Sequence, residues 1–308
     1  MINYSIIIPH KDIPDLLQRC QDSIPVRDDV EVIVVDDNSD PEKVEFDRFP
    51  QWAGKNYHCF LTKEGRGAGY ARNVGLEHAT GRWVIFADAD DFFTEDFGSL
   101  LDEMADAEED IVFFDYINVL SQDITQQVED RVWYKKMIAA YREGSITDAS
   151  FRVGFVVPWC RLVRKELVES NHIRFSETRW SNDVYFSAQV NGLAKSIKVS
   201  EKTGYVFTNR RGSLSYDVCA TAKELKTRLQ EGWRAERFYA QHGIHAKGAL
   251  TSPHLLRAYN KHGFGWCVWF CVINVFDKTV FMLMAAFLAK KLKNRMKALH
   301  TKSSQATA

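Results

Sequence analysis

The stretch FADADD, residues 86–91, places carboxylates at Asp88, Asp90 and Asp91 directly after the apolar run Trp83-Val84-Ile85-Phe86. Like charges this close raise one another's pKa unless a cation stands between them. Asp-x-Asp at a strand end projects two acids toward nearly the same point, and a hard divalent cation bound through oxygen keeps both ionised. Mg2+ or Mn2+ typically takes one or two protein carboxylates and completes its shell with water and substrate phosphate. The chemistry implied is the binding of a nucleoside diphosphate or similar group, with the metal neutralising charge on a phosphate leaving group.

The elements that must position these acids read as strands alternating with helices. YSIIIPHKD is an apolar run ended by Pro9, and IPDLLQRCQDSI has helical spacing at Ile13, Leu16, Leu17 and Cys20. DVEVIVVDDNSD is a second β-branched run, YHCFLTK a third strand, GAGYARNVGLEHATG a helix, RWVIFADADD a fourth strand and EDIVFFDY a further one. Runs apolar on both faces belong to parallel strands covered by helices. The class expected is α/β with a doubly wound, mostly parallel, Rossmann-like sheet. Ligands in such sheets sit at the carboxyl ends of the strands, where Pro9, Asp36-Asp37 and Asp88–Asp91 all fall. For Asp36–Asp40 a second reading stands beside this one, because Asp also caps helices.

The chain of 308 residues is 45% hydrophobic and can bury a substantial core. Its formal charge of -1 is unevenly spread: residues 264–308 hold seven Lys or Arg against one acid, Asp277, a net of +6 that leaves -7 for residues 1–263. An acidic body argues against a general nucleic-acid binder. A basic end beside apolar residues points to an anionic membrane surface. The six cysteines are scattered without a CxxC pair, so buried thiols in a reducing compartment are expected. MINYSIIIPHKDI has neither a basic n-region nor a long apolar h-region, which gives the expectation of a cytoplasmic catalytic domain.

SIIIPHKD, EVIVVDDNSD, GAGYARNVGLEHATGRWVIFADADDFF, RFSETRWSNDVYF and YVFTNRRGSLS together resemble, in order and rough spacing, the family 2, GT-A fold glycosyltransferases of bacterial polysaccharide and lipopolysaccharide assembly, which are inverting enzymes. The likeness covers about residues 3 to 216. It implies a sugar transferred from a nucleotide-sugar donor, most often a UDP-sugar, to a hydroxyl of a saccharide or lipid-linked saccharide. Carried over by residue, it implies that Pro9 borders the nucleotide pocket, Asp37 accepts from the base, Arg72 lies near base and phosphates, and Asp88 contacts ribose or sugar. Asp90 is implied as the ligand of Mn2+ or Mg2+, and Asp91 as structural or sugar-facing. Asp183 is implied as catalytic base, and the Asn182 beside it stands where the family usually has Glu. A second reading of SNDVYF is a plain helix cap. NRRGSLS resembles a basic loop over the diphosphate through Arg210 and Ser213, and is also an ordinary surface turn. On the acceptor side Trp159 could stack on a sugar or be buried in the core, and Arg161 stands where Lys is common.

The expected organisation is a nucleotide-sugar half at 1–115, an acceptor and catalytic half at 116–220, a helical extension at 221–263 and an apolar, basic tail at 264–308. In that tail FGWCVWFCVINVF and TVFMLMAAFLA are divided by Asp277-Lys278, and each is too short to span a bilayer of ~30 Å. An interfacial helix anchored by Trp266, Trp269 and Lys290–Lys297 on the inner face of the cytoplasmic membrane is expected, with packing on the domain or a homodimer contact as the other readings. Rival activities fit less well. A dehalogenase-like phosphatase carries its Asp-x-Asp on an early strand, and a nucleotidyltransferase needs a Gly-rich loop after its first strand, where IPHKDIPDLL has no glycine. A catalytically degenerate sugar-nucleotide binder is the non-enzyme alternative. GRGAGYA has the wrong spacing for a dinucleotide loop and reads as a flexible loop beside the donor.

Overall fold

The apolar runs at the start of the chain become the centre of one sheet. A computed structural model describes residues 1–129, 132–210, 221–246 and 248–274. Strands β1 (Tyr4–His10), β2 (Val30–Asp37), β3 (Tyr57–Thr62) and β4 (Trp83–Phe86) run parallel in the order β3-β2-β1-β4. Every residue of β1, β2 and β4 is buried, as β-branched strands covered on both faces must be. Helix α1 (Pro14–Asp22) opens at a proline, whose fixed φ and missing N–H suit a first turn. Helix α2 (Ala68–His78) packs on β1 and β2.

The second half of the sheet departs from the mostly parallel expectation. It comprises β5 (Phe92–Phe93), β6 (Ile111–Leu120), β7 (Asp123–Gln127), β8 (Arg161–Arg164) and β9 (Ile197–Asn209). The order continues β4-β8-β6-β9-β5, with β7 beside β6. β8 is antiparallel to both β4 and β6, β5 to β9 and β7 to β6, whereas β6 and β9 are parallel. The sheet is therefore parallel in its first half and mixed in its second. The expected boundary at 115/116 lies inside β6, so the two halves share a strand.

RWVIFADADD also ends its strand earlier than expected. β4 stops at Phe86, and Asp88–Asp91 form a turn closed by the Asp91 N–H donating to the Asp88 carbonyl at 2.9 Å. A strand buried on both faces has no place for adjacent carboxylates, so the chain turns out of the sheet where the acids begin.

Helices α3 (Phe97–Glu103), α4 (Val132–Arg142), α5 (Asp148–Gly154), α6 (Lys165–Ser170) and α7 (Val184–Leu193) complete the body. Beyond it lie α8 (Ala222–Gln241), capped by Thr221, and α9 (Ser252–Asn274). α9 breaks at Gly263, whose φ of 78° is natural only for glycine, at the point where the tail was expected to begin. α8 packs on α7, and α9 packs on α8 through Leu255, Cys267 and Phe270 against Leu225 and Leu229.

His254 in α9 makes this packing sensitive to acid. Its Nδ1 is buried without a hydrogen-bond partner. Burial first, then the charges of Arg228 and Arg257, lower its pKa to about 4. The unfolded chain takes up a proton near the ordinary histidine value while the folded chain refuses it, so stability is present above pH 6.5 and falls as the pH drops toward 4. The expected loss is about 2–3 kcal/mol across that window. Urea unfolding at several pH values checks it: His254→Gln flattens the slope, and an unchanged slope in that variant assigns the loss to other groups.

Candidate active site

Four unconnected segments meet at the carboxyl ends of the parallel strands. The turn after β4 is held from behind by β9 and α1. Tyr205 Oη accepts from the Asp88 N–H at 3.0 Å and donates to Asp91 Oδ2 at 2.9 Å. The Thr208 N–H donates to Asp91 Oδ1 at 2.7 Å, and the Thr208 hydroxyl to the Asp90 carbonyl at 2.5 Å. Arg19 reaches the same carbonyl through Nη2 at 2.6 Å while lying over the Phe92 ring.

Each of the three acids has its own partner. Asp91 is 1% exposed and is spent on Tyr205 and Thr208, a structural role; burial, then Asp90 and Asp88, push its pKa well above the usual carboxylate range. Asp90 keeps a fifth of its side chain exposed and takes Arg210 Nε on Oδ2 at 3.2 Å. Burial first and Asp88 second raise its pKa, against the opposing charge of Arg210. Asp88 Oδ1 accepts from Arg72 Nη2 at 2.5 Å, and Arg72 Nη1 donates to Asn182 Oδ1 at 2.9 Å. Among the described residues no group of three or more His, Cys, Asp or Glu is placed to hold a metal together. The oxygen pair of Asp88 and Asp90 matches the one or two carboxylates that Mg2+ or Mn2+ typically takes from a protein.

Asn182 and Asp183 enter from the segment before α7. Gly69 in α2 lets that segment approach: a Cβ there would lie 2.1 Å from the Ser176 carbonyl oxygen and 3.1 Å from Asn182 Cβ. The segment is tied back by the Ser176 N–H to the Asn182 carbonyl at 3.1 Å, and by the Ser176 hydroxyl to the buried Glu231 of α8 at 2.6 Å. Asp183 stands at the start of α7 and makes no side-chain capping hydrogen bond, so capping does not account for it.

Asp37 is 3% exposed, and its carboxylate accepts from the Arg66 N–H at 2.9 Å and the Gly67 N–H at 2.7 Å. It thereby seats the glycine loop that opens α2, and burial raises its pKa. Two of a carboxylate's roughly four acceptor positions are used in this way. Pro9 is buried in the ladder opposite Val35. The polar contact at that strand end is its neighbour: His10 Nδ1 lies 2.7 Å from Asp36 Oδ2, with both side chains buried. The Ile13 N–H donates to His10 Nε2 at 3.2 Å, which leaves Nδ1 as the ring nitrogen that donates to Asp36.

Of the two readings of Trp159, the acceptor contact is corrected and burial in the core stands. Trp159 is 3% exposed; its ring stacks on Tyr205 at 5.6 Å and 5° and meets Tyr116, Tyr134 and Phe207. It fills the core behind the Asp turn and has no face for a sugar. Arg161 is fully buried, donating to Asn191 Oδ1 at 3.0 Å and Ser187 Oγ at 2.8 Å, and burial lowers its pKa to about 10. It seats α7 from below. Ser213 lies outside the described residues. Arg19, Tyr205, Thr208 and the His10–Asp36 pair are missing from the sequence reading; only the last left a signal, as matching positions at the ends of adjacent parallel strands.

A sheet that is parallel in one half and mixed in the other, with an Asp-x-Asp-Asp turn at the seam, defines a GT-A fold. The chain belongs to glycosyl transferase family 2, whose model matches residues 5–171. It is 24% identical over 226 residues to glycosyltransferase GlyA of Streptococcus pneumoniae, covering 68% of this chain and 31% of that protein. Succinoglycan biosynthesis protein ExoO of Rhizobium meliloti is 27% identical over 194 residues, covering 60% and 54%. The chain thus spans between about a third and a half of the length of these relatives. The crystal structure of S. aureus TarS 1-349 in complex with UDP-GlcNAc superposes with a TM-score of 0.57 at 19% identity, covering 84% of this chain and 73% of that one.

Proposed function

We propose that this chain is an inverting glycosyltransferase that moves a sugar from a nucleotide-sugar donor, a UDP-sugar, to a hydroxyl of a saccharide or lipid-linked saccharide acceptor in cell-surface polysaccharide synthesis. The observation that carries the reading is Arg72, which joins Asp88 of the Asp-x-Asp-Asp turn to Asn182, the neighbour of Asp183. A donor-side carboxylate and a candidate base are thereby held in one place, as an in-line displacement needs. The UDP-GlcNAc complex of TarS supports the choice of nucleotide.

In this reading Asp183 takes the proton of the acceptor hydroxyl as general base, and no covalent enzyme intermediate forms. Arg210, with Ser213, binds phosphate oxygens, for which a guanidinium has the forked geometry. Asp37 accepts from the base of the nucleotide, Pro9 walls its pocket, and Asn182 borders the acceptor. Asp90, with Asp88 beside it, is the place for Mn2+ or Mg2+, and a divalent ion bound there supplies positive charge to the departing diphosphate. The test is a screen of sugar nucleotides with Mn2+, reading nucleoside diphosphate release and thermal stabilisation. A donor at about a hundredfold its dissociation constant stabilises the fold by about 2.7 kcal/mol. A response to UDP-sugars above GDP- or CMP-sugars is expected, and no response to any sugar nucleotide sinks the reading.

The protein is further proposed to work in the cytoplasm, held on the inner membrane face by its basic tail. No described helix is long and apolar enough to cross a membrane. Phe264 and Trp269 are about half exposed on α9, whereas Cys267 and Phe270 are buried against α8. Residues 275–308, which hold all seven Lys and Arg of the tail, lie outside the described residues. Removing 275–308 spares the packed part of α9 and is expected to shift the protein from the membrane to the soluble fraction; an unchanged membrane pool excludes those residues as the anchor.

A further inference from the structure

Arg72 is the most constrained cation of the site. It is 5% exposed, its Cζ lies 5.3 Å from the Phe175 ring centroid, and its two terminal nitrogens are divided between Asp88 and Asn182. A guanidinium keeps its charge at any working pH and presents its donors as a rigid fork. One prong meets a carboxylate and the other a neutral amide. Asn182 is itself fixed, its Nδ2 donating to the Thr178 carbonyl at 3.3 Å and its main-chain oxygen accepting from Ser176.

The consequence concerns charge rather than shape. Of the two groups on the fork, only Asp88 is anionic, so the ion pair on the fork is with Asp88. A carboxylate already matched by a buried guanidinium is a poor ligand for a second cation. Asp88 is about a third exposed and Asp90 a fifth, but Asp90 is the more loosely paired, at 3.2 Å from the part-exposed Arg210 against 2.5 Å from the buried Arg72.

We propose that Asn182 is a positioning residue that holds Arg72 through a neutral contact, leaves the guanidinium's charge on Asp88, and so sets how tightly the Asp88–Asp90 pair binds a divalent cation. The proposal rests on the donor-site reading above. A carboxylate at position 182 would compete for Arg72, weaken its hold on Asp88 and free Asp88 for the ion.

The test compares the full chain with Asn182→Glu, its neutral isostere Asn182→Gln, Arg72→Gln and the Arg72→Gln/Asn182→Glu double variant. Mn2+ alone is titrated with water-proton relaxation as readout, and UDP binding is measured separately by calorimetry with and without Mn2+. Asn182→Glu is expected to bind Mn2+ about fivefold tighter or more, and Asn182→Gln within about twofold of the parent. In the Arg72→Gln background the glutamate adds less than about twofold, because no guanidinium remains to be diverted. Equal Mn2+ affinity for Asn182→Glu and Asn182→Gln overturns the proposal whether or not Arg72→Gln folds. A gain that persists in Arg72→Gln also overturns it, since that is the plain Coulomb effect of an added charge. UDP binding without any Mn2+ binding overturns the inference and leaves the sugar-nucleotide reading standing. The expected Mn2+ pattern in a chain that binds no UDP overturns that reading and leaves the inference standing.

Discussion

Asp183→Asn is expected to lower sugar transfer by about 10²- to 10⁴-fold, the usual contribution of a general base, while UDP affinity stays within about twofold of the parent. The substitution removes a proton acceptor and a negative charge while keeping the shape of the side chain. Asn has the same size, and the Asp183 side chain makes no capping hydrogen bond at α7 that could be lost. The helix is seated independently by Arg161, held by Ser187 and Asn191. Arg161 is close enough to Asp183 for that carboxylate to favour its charged form, so the variant also weakens an electrostatic contact. Initial rates at saturating donor and acceptor, with calorimetry for UDP, separate the two effects. Turnover within tenfold of the parent removes Asp183 from the mechanism. Normal turnover with weakened UDP binding would move it to the donor side.

Strands β1, β2 and β4 are legible because burial on both faces leaves a composition signal: YSIIIPH and VEVIVVDD contain few residues that water could claim. The acids Asp36-Asp37 and Asp88–Asp91 mark the carboxyl ends of β2 and β4, although β4 stops at Phe86, before its acids begin. The placement of β8 is not legible. Its four residues join β4 and β6 antiparallel, and a strand so short carries no period to show its direction. The supports of the Asp turn were equally silent, because Arg19, Tyr205 and Thr208 reach it across 71, 114 and 118 residues of chain. No local pattern records a contact at that range. Trp159 shows a choice that sequence leaves open. Its neighbourhood fits either an acceptor contact or the core, and a ring that fits among Tyr116, Tyr134, Tyr205 and Phe207 gains more from burial than from a wet sugar face. Asn182 stands in the sequence as a missing charge, and only the structure gives that absence a partner in Arg72.

Adjacent acids in the same turn should fail in opposite ways. Asp90→Ala is expected to fold with stability within about 1 kcal/mol of the parent, because its side chain is partly exposed and its ion-pair partner Arg210 is 30% exposed. The turn itself survives, since Thr208 and Arg19 hold the Asp90 main-chain carbonyl rather than its carboxylate. What is lost is the place for the cation, so UDP should bind Asp90→Ala with the same affinity with and without Mn2+. A Mn2+-dependent gain that persists in this variant would count against Asp90 as ligand. Asp91→Ala reverses the pattern. It leaves the Tyr205 hydroxyl and the Thr208 amide without their acceptor in a site where the replaced side chain is 1% exposed, and buried groups orphaned in this way cost about 1–3 kcal/mol each. A loss of roughly 3–5 kcal/mol in urea unfolding is therefore expected. Tyr205 also accepts from the Asp88 N–H, so once its hydroxyl is released the position of Asp88 loosens too, and donor affinity falls as a consequence of the lost support rather than of a lost ligand. Measuring stability and Mn2+-dependent UDP affinity on both variants distinguishes the two roles: loss of the Mn2+ increment without loss of stability belongs to Asp90, and loss of stability belongs to Asp91.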